Sequence, residues 1–186
     1  KQAVIWHKAE GNNMLEQGGY FRGTRIVAWY SPAGGTGKTT LALAMATVGA
    51  KAGLSTLYLN LEDVDSAKGI LGKAGERVSR QMAVLGREDA RADRKVRAGI
   101  RTVPEGGFDY LPGVEHYVAY GAMTGRDVES LLEQVRNLEV YDLVIVDLAS
   151  GFTDKTEEVL RRADQILVPV LMEETSIGKL QCFLRE

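Results

Sequence analysis

The sequence has one cysteine, two histidines and four prolines, and aromatic residues make up only 7% of its 186 residues. The single cysteine, Cys182, excludes an internal disulfide and is typical of a reducing compartment, so we expect a cytoplasmic protein. No histidine lies near Cys182 in the sequence, so a catalytic thiol is not indicated. No apolar run approaches the ~18 residues that a membrane-spanning helix needs, and no signal peptide is evident.

The charge is nearly balanced, with 23 basic and 25 acidic residues and a formal net charge of −2. This balance gives no general reason to expect binding to nucleic acid or to an acidic membrane surface. The apolar content of 45% is ordinary for a globular chain, and its length predicts one folded domain, over residues 25–186. Residues 1–24 are expected to be a linker or an edge segment. Since the chain begins with Lys1 rather than Met, we expect it to be a piece of a longer protein.

A glycine-rich stretch occupies residues 31–40, with the sequence Ser-Pro-Ala-Gly-Gly-Thr-Gly-Lys-Thr-Thr. It follows a predicted strand, Ile26–Tyr30, and precedes a predicted helix over residues 39–51. In this setting a Gly-Lys-Thr triplet indicates phosphate binding, because backbone N–H groups at a helix N-terminus surround the anion. The alternative is a flexible turn with a surface lysine. The residues expected to contact a nucleotide are Gly34, Gly35, Thr36, Gly37, Lys38, Thr39 and Thr40.

A second motif is the apolar run over residues 141–148, which ends in the sequence Val-Asp-Leu. A buried parallel strand of this kind delivers Asp147 to the carboxyl edge of the sheet. We expect Asp147 and the Thr39 hydroxyl to hold Mg²⁺, while Lys38 neutralises phosphate charge. The alternative is that Asp147 caps the following helix.

Three acidic residues follow the second predicted strand, Leu54–Leu61. Strand, loop, helix and strand form a βαβ unit, whose ligand lies at the carboxyl ends of its strands. Glu62 and Asp65 are therefore candidates to orient an attacking water, with Asp63 close by. The alternative is that these acids only favour a helix N-terminus, where negative charge is stabilising.

These motifs resemble the deviant Walker A ATPases of the MinD/ParA/CpaE family. The family pattern Lys-Gly-Gly-x-x-Lys-Thr is matched by residues 33–39, except that Ala33 replaces the first lysine. Residues 147–151 resemble the family's switch II, which implies that the Gly151 N–H contacts the γ-phosphate. Asn60 stands where the family has the first carboxylate of an Asp-x-Asp motif. The implied fold is α/β, a mostly parallel sheet with helices on both faces, of the P-loop NTPase SIMIBI type.

The resemblance implies a slow Mg²⁺-dependent ATPase that binds ATP, forms a nucleotide-dependent homodimer and acts with a protein partner. Its catalytic residues would be Lys38, Glu62, Asp65 and Asp147. The most similar branch is CpaE/TadZ, localisation factors for pilus assembly with a receiver-like domain ahead of the ATPase, which implies a cytoplasmic protein with polar localisation through partners. Family members continue with strands that bind adenine, a segment expected after Glu186. A binding module without hydrolysis is a second hypothesis, since Ala33 and Asn60 both replace charged family residues.

The segment of residues 66–103 is polar and is predicted to be helical. Its basic residues are interleaved with acids, which favours a solvated helix face, although a ParA-like surface for DNA is a third hypothesis. Farther along the chain, Thr124 and Asp127 have the spacing of a helix capping box. The basic set consists of Arg77, Arg80, Arg87, Arg91, Arg94, Lys95, Arg97 and Arg101.

Overall fold

The structure is a computed structural model that describes residues 2–6, 23–71, 92–113 and 117–185. Strands and helices alternate along most of this length. In chain order the elements are β1 Gln2–Trp6, β2 Arg25–Trp29, α1 Lys38–Lys51, β3 Thr56–Leu61, α2 Ala67–Leu71, α3 Ala92–Gly99, β4 Arg101–Val103, β5 Phe108–Leu111, α4 Tyr117–Ala122, α5 Gly125–Asn137, β6 Leu143–Leu148, α6 Asp154–Arg162, β7 Gln165–Val170 and α7 Glu174–Phe183.

The described strands form one seven-stranded sheet in the order β1-β7-β2-β6-β3-β5-β4. The five central strands run parallel, while β1 is antiparallel to β7 and β4 is antiparallel to β5 at the two edges. Strands β3 and β6 are buried along their whole length, as expected where helices cover both faces of a sheet. The predicted α/β class with a mostly parallel sheet is therefore confirmed.

Side chains of alternating strand positions divide into two cores, one on each face of the sheet. One core contains Ala42, Leu43 and Ala46 of α1 packed against β2, β3, β5 and β6. The other contains residues of α5 and α6, including Val128, Leu132 and Val159, packed against the opposite face of these strands. Helix α1, which carries the end of the glycine-rich stretch, is thus held rigidly against the sheet.

The strand register aligns the C-terminal ends of β2, β6 and β3 at the same edge of the sheet. Asp147 of β6 lies opposite Trp29 of β2 on one side and opposite Asn60 of β3 on the other. The glycine-rich stretch leaves β2 immediately after this position, and the acidic segment leaves β3 there. The topology therefore collects the predicted motifs at the carboxyl edge of the sheet, where ligands bind in open α/β folds.

The prediction of a helical segment over residues 66–103 is wrong at its C-terminal end. Residues Arg101–Val103 form β4, which pairs with β5 through a turn in which Gly107 has a φ of 70°. The Thr102 hydroxyl donates to Asp109 across this pair at 2.7 Å. The hairpin pairing with β5 overrides the preceding polar, helix-like pattern, because a strand as short as β4 shows no period of its own. The basic residues Arg77, Arg80, Arg87 and Arg91 lie outside the described residues.

The predicted capping box at the start of α5 is confirmed. The Asp127 N–H donates to the Thr124 hydroxyl, and the Asp127 carboxylate accepts the N–H of Thr124. Among the residues that the structure describes, no helix combines the length and apolar character that crossing a membrane requires.

Candidate functional site

The loop of residues 31–37 joins β2 to α1 and contains two glycines in the left-handed backbone region. Gly35 has a φ of 69° and Gly37 a φ of 83°, a conformation that a residue with a Cβ adopts only at a cost. Gly37 is the N-cap of α1, so no side chain caps the helix, and the first turn contains no acidic residue. The uncapped N–H groups of the first turn therefore form a site that favours an anion.

The Lys38 side chain is buried at the start of α1 and reaches across to the segment after β6. Its Nζ donates to the Ser150 hydroxyl at 2.9 Å. That hydroxyl in turn donates to the Ala33 carbonyl at 3.4 Å, and the Tyr30 hydroxyl donates to the Ser150 carbonyl at 3.4 Å. The loop and the 149–151 segment are thus linked through the one cation that is expected to bind phosphate.

The Asp147 carboxylate is fully buried beside this loop. Its Oδ2 accepts the Tyr58 hydroxyl at 2.8 Å, whereas its Oδ1 receives no hydrogen bond from any residue that the structure describes. Burial and the nearby charge of Glu62 raise the pKa of Asp147 from 3.8 to about 6, while the Thr39 and Tyr58 hydroxyls and Lys38 act in the opposite direction. A buried carboxylate with an unpartnered oxygen is a candidate ligand for a cation.

Two acids of the segment after β3 have different environments. Glu62 is close enough to Asp147 to raise its pKa, and the Ser66 hydroxyl donates to the Glu62 carboxylate. The same Ser66 hydroxyl lies 3.3 Å from the Thr39 hydroxyl, so Glu62 is connected to the first turn of α1. Glu62 therefore belongs to the cluster around the loop.

Asp65 is held in a separate network on the side of β5. Its carboxylate accepts the Asn60 amide at 3.1 Å, the Gly113 N–H at 3.1 Å and the Tyr110 hydroxyl. Asn60 is fully buried, and its amide oxygen accepts the Glu62 N–H at 2.9 Å. These bonds give Asp65 and Asn60 a structural role in shaping the turn after β3.

The structure brings most of the predicted site residues together. The loop and the start of α1 carry seven of them, and Glu62 and Asp147 lie against that group. Gly151 is exposed one residue after Ser150, while Asp63 is exposed and its carboxylate accepts the Val64 N–H. The seven residues are Gly34, Gly35, Thr36, Gly37, Lys38, Thr39 and Thr40.

The donor set fits a magnesium ion that shares its coordination with a phosphate. Mg²⁺ is bound through one or two carboxylates together with substrate phosphates and waters rather than through an all-protein cage. The described residues contain no cluster of three or more His, Cys, Asp or Glu side chains with metal-site geometry. One carboxylate, Asp147, and one hydroxyl, Thr39, lie together beside a helix N-terminus that favours an anion, which matches the shared kind of site.

Two residues of this site are absent from the sequence-based predictions. Ser150 stands next to the predicted Gly151, but its bond to Lys38 depends on how β6 and α1 are placed. Tyr58 belongs to the apolar pattern of β3, and its contact with Asp147 depends on the register between β3 and β6. The signal in the sequence for these two residues is a hydroxyl group close to a predicted motif, next to Gly151 for Ser150 and two residues before Asn60 for Tyr58.

Comparison with known proteins places the fold. A family model described as "AAA domain" matches residues 24–186. The structure is similar to the septum site-determining protein MinD of Pyrococcus horikoshii OT3 complexed with Mg-ADP, with a TM-score of 0.70 and 16% identity. It is also similar to cobyrinic acid a,c-diamide synthase of Mycobacterium smegmatis with a bound ATP analogue and magnesium (0.70, 23%) and to a plasmid partition protein of Borrelia burgdorferi (0.71, 17%). No curated protein sequence matches this chain.

These similarities cover most of this chain and less of its relatives. They include 87% of this chain for MinD and the synthase, and 88% for the partition protein. The chain spans just under two thirds of the MinD and synthase structures, 65% and 66%, and 72% of the partition protein. The predicted MinD/ParA-type fold is confirmed, while the CpaE/TadZ branch stays a prediction.

Proposed function

Because this chain belongs to the AAA domain family, whose model covers residues 24–186, we propose that it binds ATP with Mg²⁺ and hydrolyses it slowly. The two nucleotide states then serve as a switch that controls assembly or localisation of a partner. The observation that carries this proposal is the pairing of two unsatisfied groups in one site. These are the uncapped N-terminus of α1 and the buried Asp147 Oδ1.

The chain's own residues divide the work of binding and hydrolysis. The first-turn N–H groups and Lys38 bind the phosphates, since both supply positive charge and the Lys38 side chain is buried. Thr39 and Asp147 would hold Mg²⁺, which supplies charge neutralisation and orients the phosphates when bound. Glu62 would orient the attacking water through its position beside Asp147. Asp65 is the weaker candidate because three donors already occupy its carboxylate.

Slow hydrolysis follows from two substitutions relative to the family pattern. Ala33 has no charge with which to reach a partner's phosphate across a dimer interface. Asn60 has no carboxylate, and its amide is engaged with Asp65 and Glu62. These two observations also favour the second candidate function, a nucleotide-dependent binding module without turnover.

The finer assignment is a CpaE/TadZ-type role in pilus or secretion assembly, with a nucleotide-dependent homodimer and polar localisation through partners. The support for it is the sequence Tyr-Leu-Asn-Leu-Glu at residues 58–62, which stands where other family members have Asp-x-Asp, together with the expectation of a further domain upstream. DNA binding of the ParA kind is less favoured, because acids interleave the basic set in the sequence and the Arg101 side chain donates to the carbonyls of Ala98 and Ile100. Arg94 and Arg97 are exposed and are the members of the set that DNA could contact.

Phosphate release and size measured with ATP, with ADP and without nucleotide test the proposal. A slow Mg²⁺-dependent release of phosphate with an ATP-dependent increase in size is expected. A shift in size without release would replace the ATPase by the binding module. ATP-dependent, salt-sensitive binding to duplex DNA would instead support the partition hypothesis. Absence of any nucleotide effect, including on thermal stability, would contradict the proposed function.

Substitution of Ser150 tests whether the segment of residues 149–151 competes with phosphate for the Lys38 side chain. The Lys38 Nζ donates to the Ser150 hydroxyl, and the proposed contact of Lys38 with phosphate requires this bond to break. Ser150→Ala removes this competitor, so we expect ADP affinity to rise about 3- to 10-fold, the range of a typical net intramolecular hydrogen bond. Titration calorimetry with Mg²⁺ and ADP measures the change.

The control for this variant is Ser130→Ala, which removes a hydroxyl bonded to Gln134 on α5. It should leave ADP affinity unchanged. Weaker binding in Ser150→Ala would show that the Ser150 hydroxyl contacts the nucleotide instead of holding Lys38 in its absence.

Substitution of Ala33 tests the account of slow turnover. Ala33→Lys restores the family's early lysine, and we expect the ATPase rate to rise while ADP affinity stays nearly constant. Ala33 is 7% exposed, so Ala33→Met is the matched control for the added length without the charge. Phosphate release at saturating ATP is the measurement. Equal rates in the lysine and methionine variants would argue against a missing cation.

A further inference from the structure

We propose that Tyr58 is a positioning residue for the magnesium site, because its hydroxyl holds one oxygen of Asp147 and leaves the other as the single oxygen presented to the cation. This inference rests on the proposed function and concerns how that site selects its metal. No motif in the sequence singles out Tyr58.

The sheet register places Tyr58 within reach of Asp147. Asn60 of β3 lies opposite Asp147 of β6, and Tyr58 lies two residues before Asn60 on the same face of the sheet. Tyr58 is therefore a diagonal neighbour of Asp147 on the adjacent parallel strand, within reach of a long aromatic side chain. The Tyr58 hydroxyl donates to Asp147 Oδ2 at 2.8 Å with both side chains fully buried.

The bond makes the two carboxylate oxygens inequivalent. Oδ2 has its partner, whereas Oδ1 is buried and accepts no hydrogen bond within the described part of the chain. The Tyr58 hydroxyl occupies one lone pair of Oδ2 and withdraws electron density from that oxygen, so ligation of a metal through Oδ1 alone is favoured over bidentate ligation. Mg²⁺ favours one-oxygen ligation in a near-ideal octahedron, whereas Ca²⁺ tolerates bidentate carboxylates and larger, looser shells. The Tyr58 hydroxyl therefore favours Mg²⁺ over Ca²⁺.

A purely structural role is the competing explanation, because the Tyr58 ring is part of the core. Its centroid lies 5.7 Å from that of Tyr110 and 6.5 Å from that of Phe108. Phenylalanine at position 58 keeps these ring contacts and removes only the hydroxyl. Tyr110 supplies a matched control, since it is the register partner of Tyr58 on β5 and its hydroxyl donates to Asp65 rather than to Asp147.

The experiment compares the wild type with Tyr58→Phe and Tyr110→Phe at saturating ADP. Mn²⁺ affinity is measured by electron paramagnetic resonance of the free ion, and Mg²⁺ and Ca²⁺ affinities by their competition with Mn²⁺. ADP affinity is also measured in EDTA. We expect Tyr58→Phe to weaken Mn²⁺ and Mg²⁺ binding about 10-fold, the usual effect of losing an outer-shell partner, and Ca²⁺ binding much less. Metal-free ADP affinity should stay unchanged, and Tyr110→Phe should resemble the wild type.

Several results would overturn the inference. Wild-type Mg²⁺/Ca²⁺ selectivity in Tyr58→Phe would do so, as would an equal loss of metal affinity in Tyr110→Phe. Equal affinity of the wild type for Mg²⁺ and Ca²⁺ would also overturn the inference. This measurement uses the wild type alone, so it does not depend on whether a variant folds. A wild type that binds neither ADP nor Mn²⁺ with ADP would instead remove the proposed function, so the two failures are distinguishable.

Discussion

Replacement of Lys38 with alanine is expected to weaken binding of ADP and ATP by at least about 100-fold, which corresponds to about 2.7 kcal/mol. The Lys38 ammonium stands at the start of α1, and it is buried where water screens charge poorly. Its loss removes this positive charge and leaves the backbone N–H groups of the first turn to bind the phosphates. Titration calorimetry with ADP and excess Mg²⁺ gives the affinity directly.

The matched control is Lys51→Ala, which removes an exposed lysine from the last turn of the same helix. It should leave nucleotide affinity within twofold of the wild type. Lys38→Met retains the aliphatic stem and separates lost charge from lost packing. If Lys38→Met binds ADP as tightly as the wild type does, Lys38 is not the phosphate-binding cation and the assignment of the loop is wrong.

Replacement of Asp147 with asparagine is expected to have opposite effects on the free and the nucleotide-bound protein. Burial raises the pKa of Asp147 from 3.8 to about 6, so the ionised side chain destabilises the free fold by about 3 kcal/mol above that pH. Asparagine is neutral but leaves a buried N–H without a partner, which offsets part of the gain. We therefore expect the melting temperature of the free protein to rise by about 2–6 °C at pH 7.5.

The pH dependence gives the sign of this effect. The pKa of Asp147 is higher in the folded than in the unfolded state, so folding favours the protonated carboxyl. The stability contributed by the protonated carboxyl is fully present below pH 3.8 and is lost as the pH rises through about 6. The stabilising effect of Asp147→Asn should therefore be present at pH 7.5 and small near pH 4. Thermal melts at both values of pH test this.

The nucleotide-bound protein should respond in the other direction. A ligand at 100 times its dissociation constant stabilises a fold by about 2.7 kcal/mol, and this gain should require Mg²⁺ in the wild type. Asp147→Asn should lose the Mg²⁺-dependent part of the gain. Asp63→Asn neutralises an exposed acid at the same edge and should change neither property. A destabilised free Asp147→Asn, with its Mg²⁺ response intact, would contradict the assignment of Asp147.

Local sequence was sufficient to predict the parts of the site that are built from residues adjacent in the chain. Gly35, Gly37 and Lys38 act through a turn and a helix N-terminus that adjoin each other in the chain, so their pattern is readable directly. Asp147 was predictable because an apolar strand that ends in an acid has one natural place in a parallel sheet. Strand β4 was not predictable, since a three-residue strand with two polar residues, Arg101 and Thr102, pairs only because the chain turns back at Gly107.

The sequence by itself determined the α/β class, the glycine-rich loop between β2 and α1 and the strand that carries Asp147, because each is encoded by a short and continuous pattern. Only the tertiary structure decided how these parts are connected. The Lys38–Ser150 bond crosses from α1 to the segment after β6, and the Tyr58–Asp147 bond depends on the register of β3 against β6. The physical reason is that hydrogen bonds need partners within about 3 Å, and residues 89 and 112 positions apart reach that distance only through folding.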